Sequence, residues 1–127
     1  MSDGNLRSIF RQYLPQFDWV AIETSTGRGV PDDNACWQGH EFWIEFKRVN
    51  GRRVQVRPEQ IGWAERRLRA GGKVYVAARK ESCLWLYSGW ALRHLKLNPV
   101  GQIEALGCWE GGPAAWQWAE IARILAQ

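Results

Sequence analysis

The run Glu41-Phe42-Trp43-Ile44-Glu45-Phe46-Lys47 decides the fold, because its strict alternation predicts one long β-strand with two chemically different faces. Phe42, Ile44 and Phe46 share one face. Glu41, Trp43, Glu45 and Lys47 share the other, which must look into a cleft or into solvent. The ordinary reading of Glu45 and Lys47 is an exposed same-face ion pair on an edge strand, worth roughly 0–1 kcal/mol. Against it stands the apolar setting of Trp43-Ile44-Glu45-Phe46, since a carboxylate in such a strand is costly without a partner.

Working outward, Asn34 to Gln38 reads as a second strand, joined to the first through Gly39-His40. A two-residue connection with glycine first predicts a type II′ hairpin. Pro31-Asp32 then stands at a loop-to-strand junction one hairpin away from Glu45. The turn folds the chain back and brings both carboxylates to one end of the sheet. Asp33, the next residue, would point to the opposite face. Taken alone, Asp32 reads first as a turn or cap residue after proline.

Further upstream, Trp19 to Glu23 alternates as a strand, with Val20 and Ile22 on one side and Trp19, Ala21 and Glu23 on the other. Ser25 to Pro31 is rich in glycine and proline and reads as a loop. Asn5 through Leu14 carries apolar residues at helical spacing before Pro15. Downstream, Val49 to Val56 is polar and basic. Pro58 then opens a helix carrying Ile61, Trp63, Ala64 and Leu68, closed by Gly71-Gly72. Lys73 to Ala78 and Cys83 to Tyr87 are further strands, followed by a short helix over Trp90 to Leu95 and a C-terminal one over Ala114 to Leu125. The pattern over Asn98 to Gly112 assigns no element. The expected class is α/β, a mixed central β-sheet flanked by α-helices.

The chain has 127 residues with 46% hydrophobic and 24% charged, the profile of one globular domain spanning 1–127. Its apolar runs are far shorter than the ~20 residues a membrane helix needs, and no secretory signal opens the sequence. Cys36, Cys83 and Cys108 are odd in number and widely spaced, which predicts free thiols and a soluble, cytoplasmic protein. The net charge is +4, unevenly distributed: Glu45 to Lys80 holds 11 basic residues and 3 acidic ones. Such a cluster suits a polyanion, although a solvated basic face without a partner fits the charge equally well.

Asp32, Glu45 and Lys47 together fit the hydrolysis of a phosphodiester. Hard carboxylate oxygens, with the Phe46 main-chain carbonyl, would hold Mg²⁺ or Mn²⁺ and leave room for water and phosphate oxygens. Lys47 could orient the attacking water, help deprotonate it, or stabilise the transition state as a fixed cation. Arg48, Arg52, Arg53, Arg57 and Arg66 are candidate contacts to a DNA backbone. Trp37, Trp43 and Trp63 lie near the proposed cleft, where stacking on unpaired bases is worth ~1–3 kcal/mol per base. Most of the nine tryptophans, Trp85, Trp116 and Trp118 above all, are expected in the core. Cys36 and His40 are spaced like half a zinc site, but four ligands are not at hand.

Pro31-Asp32 followed by Glu45-Phe46-Lys47 resembles the PD-(D/E)XK nuclease pattern. More narrowly, Gly29 to Asn34, Trp43 to Lys47 and Pro58 to Trp63 resemble the small stand-alone VRR-NUC nucleases often encoded by phages. The resemblance implies a restriction-endonuclease-like core and a metal-dependent DNA endonuclease, structure-selective for branched DNA. Among its relatives are Holliday-junction resolvases that work as homodimers. It assigns Asp32 and Glu45 as metal-binding carboxylates, Lys47 as the catalytic lysine and Gln60 as a glutamine close to the active centre. The family usually adds an acidic residue from the first helix, but Arg7 to Gln16 holds no carboxylate. Glu23 is the expected substitute metal ligand, with Asp3 the second candidate. Two rival readings are a nucleic-acid-binding module on the nuclease scaffold without catalysis, and an assembly factor of a virus-like particle.

Overall fold

The computed structural model describes residues 4–23 and 28–127. Six strands form one sheet in the order β1-β2-β3-β4-β5-β6. They are β1 (Asp18–Ala21), β2 (Asp33–Trp37), β3 (His40–Arg48), β4 (Val74–Lys80), β5 (Cys83–Ser88) and β6 (Gly107–Trp109). All neighbours are antiparallel except β3 and β4, which run parallel. That single parallel pair requires a crossover, which α2 (Pro58–Arg69) supplies.

The alternation of β3 builds the two layers. Phe42, Ile44 and Phe46 join the core under α1 (Leu6–Tyr13) and α4 (Trp118–Leu125), with Leu6, Phe10, Ile121 and Leu125. On the opposite face, Val76 and Ala78 of β4 pack beneath α2 and the short α3 (Leu92–Leu95) through Trp63, Ala64, Leu92 and Leu95. The expected mixed sheet flanked by helices is the fold found. Among the described residues, no helix is long and apolar enough to cross a membrane.

Two expectations are corrected at the level of elements, and one unassigned stretch gains structure. The hairpin turn falls one residue earlier, at Gln38-Gly39, because Trp37 pairs directly with His40. Both central residues have positive φ, 51° and 81°, so the turn is of type I′, whose twist matches that of the strands, and not type II′. Within Asn98 to Gly112 the chain forms a 3-10 turn at Val100–Gln102 and the edge strand β6, too short to leave a periodic signal. The C-terminal helix begins at Trp118, after a separate 3-10 turn at Pro113–Ala115.

Candidate active site

The β2–β3 register sets the site. Asp33 lies opposite Ile44, so Asp33 faces the α1 layer and Asp32, one residue earlier, faces Glu45 and α2. Asp33 is fully buried, and its carboxylate accepts from Arg7 Nε at 2.7 Å and Arg11 Nη2 at 2.9 Å, both on α1. Arg7 also donates to the Asp32 main-chain carbonyl at 2.9 Å. Helix α1 therefore clamps the start of β2 where the site residue leaves it.

Asp32 is fastened to β3 from two sides. Its N–H donates to Glu45 Oε1 at 3.1 Å, and its Oδ2 accepts the Phe46 N–H at 2.8 Å. The chain before it is pressed onto α2: Gly29 has φ 77°, and a Cβ there would lie 2.1 Å from the Glu59 carbonyl oxygen. Only glycine fits that crossing.

Gln60 enters from the first turn of α2. Its Nε2 donates to Glu45 Oε2 in a short hydrogen bond. Its Oε1 accepts from Lys47 Nζ at 2.9 Å and from the Arg57 N–H at 3.0 Å, the latter being the returning half of a capping box. Lys47 Nζ donates in addition to the Gln55 carbonyl at 2.6 Å and lies 3.4 Å from Glu45 Oε2. Every polar atom of Gln60 thus serves either the helix start or the carboxylate–lysine pair.

Asp32, Glu45, Phe46, Lys47 and Gln60 line one polar cleft of about 380 Å³, with Arg48 and Arg57 at its rim. A larger cleft of about 560 Å³ around Trp90, His94 and Leu106 gathers no such set. Burial pushes the Glu45 carboxyl up to about 7, and the neighbouring Asp32 charge acts in the same direction against the Lys47 ammonium. Burial also raises Asp32, opposed by the Phe46 N–H, by its hydrogen bond with Glu45 and by the charges of Arg7 and Lys47. Two carboxyls that disfavour joint ionisation fit a divalent cation, which would relieve both their repulsion and their desolvation.

This arrangement makes stability depend on pH. The folded protein holds a proton on Glu45 that the unfolded chain releases near 4.5, so stability falls as pH rises from about 4.5 to about 7. The loss amounts to about 3 kcal/mol at most. Urea denaturation in chelator at pH 5 and pH 7.5 is expected to show that decline, with Glu45→Gln flattening it and Mn²⁺ opposing it at pH 7.5. A midpoint that rises with pH would contradict the assignment.

Other expected positions lie elsewhere. Glu23 is exposed two residues past the end of β1, and the register puts Ile22, not Glu23, opposite Asp32: the Ile22 N–H donates to the Asp32 carbonyl at 2.8 Å. Asp3 lies outside the described residues, as do residues 25–27 of the expected loop. Among the described residues, no group of three His, Cys, Asp or Glu side chains assembles. Arg52 and Arg53 are exposed on the turn closed by the Asn50–Arg53 bridge. Arg66 is exposed two turns along α2, roughly 9 Å from Gln60 along the axis, beside a different depression. Trp37 packs on Phe17 in the α1 layer, away from the cleft. Trp43 and Trp63 meet edge to face with Arg67 over both rings. The Gln55 contribution was invisible in sequence because it is a main-chain carbonyl. The Arg7 contact had a signal, namely Arg7 and Arg11 four apart on the buried side of the first helix.

The fold resembles that of a Holliday junction resolvase. The solved structure is Hjc from Archaeoglobus fulgidus, an archaeal hyperthermophile, with a TM-score of 0.52 and 16% sequence identity over 91% of this chain and 98% of that one. The restriction-endonuclease-like α/β architecture expected from sequence is therefore the one observed. No protein-family model matches the sequence, and no curated protein matches it.

Proposed function

We propose that this protein is a divalent-metal-dependent nuclease that hydrolyses phosphodiester bonds of DNA. The observation that carries the reading is the convergence of Asp32, Glu45 and Lys47 in one polar cleft, from a loop end and a strand joined by a hairpin. Asp32 and Glu45 would hold Mg²⁺ or Mn²⁺ through hard oxygens, with the Phe46 carbonyl as a further donor. When bound, such a cation acidifies the attacking water and neutralises charge growing on the phosphate oxygens. Lys47, fixed between the Gln55 carbonyl and Gln60, presents its ammonium to the same space and stabilises the pentavalent transition state. Gln60 keeps Glu45 and Lys47 at hydrogen-bonding distance without neutralising either.

Likeness to a Holliday junction resolvase supports branched DNA as the substrate; the homodimer rests on the sequence resemblance alone. The test is incubation with linear duplex, single strand, flap and four-way junction, each in Mg²⁺, Mn²⁺ or chelator. Cleavage is expected with either metal, strongest on the junction, and none in chelator. Undiminished cleavage in excess chelator overturns the metal mechanism. One observation favours the binding-module reading: among the described residues no third acidic ligand joins Asp32 and Glu45. Tight junction binding with no cleavage under any metal would select it.

A further inference from the structure

Several cations of the molecule are paired with carboxylates. Arg93 and Arg69 pair with Glu65, Arg7 and Arg11 with Asp33, and Arg123 with Glu120. At the C-terminal ends of β3 and β4 a different arrangement holds. Lys80 Nζ donates to the Gly51 carbonyl at 2.6 Å, and Arg79 donates to the carbonyls of Gly4 and Glu81 at 3.1 and 2.7 Å. Arg79 also lies over the Trp116 ring at 5.5 Å. Main-chain carbonyls orient these cations and leave their charge in place. Among the described residues, neither they nor Arg48 stands within ion-pair distance of a carboxylate.

These residues, with Glu81 beside them, line a cleft of about 520 Å³ that shares Arg48 and Asn50 with the catalytic cleft, so the two adjoin. The register explains the path. Arg48 lies opposite Arg79 and Lys47 opposite Ala78, which places Arg48 and Arg79 on the α1 face of the sheet. Lys80, one residue on, alternates back toward the α2 face. The groove thus passes over the strand ends from the catalytic side to the start of α1.

We propose that Arg48, Arg79 and Lys80 form a second phosphate-binding cleft, which holds the backbone of the substrate strand next to the scissile phosphate on the side leading toward α1. This rests on the nuclease reading for the identity of the neighbouring cleft. The ligand is the phosphodiester itself, because cations held by main-chain carbonyls, as Arg79 and Lys80 are, recognise charge and spacing, not sequence.

Lys80→Ala is the test, since Arg79 also braces Trp116 and the start of α1, and its loss would disturb the fold. Binding of a fluorescein-labelled single-stranded DNA spanning both clefts is measured by anisotropy in chelator across a salt series, alongside thermal melting of each variant. Lys80→Ala is expected to weaken binding about fivefold and to lower the log–log salt slope by about 1. Lys80→Glu should weaken it further. A DNA carrying a neutral methylphosphonate at the flanking linkage should bind wild type and Lys80→Ala alike. In cleavage assays the rise in KM should exceed any change in kcat. A salt slope and affinity equal to wild type overturn the proposal, as does an unchanged deficit on the methylphosphonate DNA. Binding in chelator needs no turnover, so absence of cleavage counts against the nuclease reading, whereas an unaltered slope counts against the second cleft alone.

Discussion

Lys47→Ala is expected to lower single-turnover DNA cleavage at saturating Mg²⁺ about 10³-fold, equivalent to about 4 kcal/mol of transition-state stabilisation, with oligonucleotide binding and the far-ultraviolet circular dichroism close to wild type. The ammonium is held by the Gln55 carbonyl at 2.6 Å and Gln60 Oε1 at 2.9 Å, and lies 3.4 Å from Glu45. Three fixed partners leave it little freedom, so its charge is positioned before substrate arrives. Its removal also takes away the one charge that favours ionised Glu45, whose carboxyl burial and Asp32 already push up to about 7. The variant therefore suffers twice, at the transition state and in the supply of carboxylate. Lys47→Arg should not restore activity, because a planar guanidinium cannot occupy the space that a compact ammonium fills between a carbonyl and an amide oxygen. Cleavage by Lys47→Ala within tenfold of wild type would remove Lys47 from the mechanism.

What made this cleft readable in advance was the period of two in β3. Alternation from Glu41 to Lys47 places Glu45 and Lys47 on one face without knowledge of any partner strand, and the glycine at 39 announces the return of the chain. Asp32 and Asp33 follow the same rule, since adjacent residues at a strand entrance face opposite layers: Asp33 is buried against α1 and Asp32 lines the cleft. Gln60 came with the family resemblance, and Pro58 shows only where the helix that carries it starts. Glu23 stays out of the cleft lining because strand pairing, unlike alternation, depends on register, and β1 ends at Ala21 opposite Asp33. Trp37 was misplaced for a related reason. It sits on the face of β2 that packs beneath Phe17, and proximity in sequence to the cleft said nothing about that side. Edge strand β6 is three residues held by pairing with Leu84 to Leu86, a tertiary cause that local sequence does not carry.

The same dependence on tertiary partners governs the largest stability effect expected of any surface-accessible pair. Arg7 and Arg11 are about one-third exposed, but the Asp33 carboxylate between them is fully buried. Replacing both arginines by alanine strands that carboxylate without a counter-charge in the core layer, and urea denaturation is expected to show a loss of about 3–5 kcal/mol. Either single variant should cost much less than half of this, because the remaining guanidinium still reaches one carboxylate oxygen, so the two changes are non-additive. Asp33→Asn in the doubly substituted background should recover part of the loss by removing the stranded charge. The Arg7 share has a local consequence as well, since Arg7 holds the Asp32 carbonyl at 2.9 Å. Arg7→Ala alone is therefore expected to weaken Mn²⁺ binding at the cleft, whereas Arg11→Ala, which touches Asp33 but not Asp32, should leave it close to wild type. A double variant within about 1 kcal/mol of wild type would show that the clamp at the start of β2 rests on the strand ladder alone.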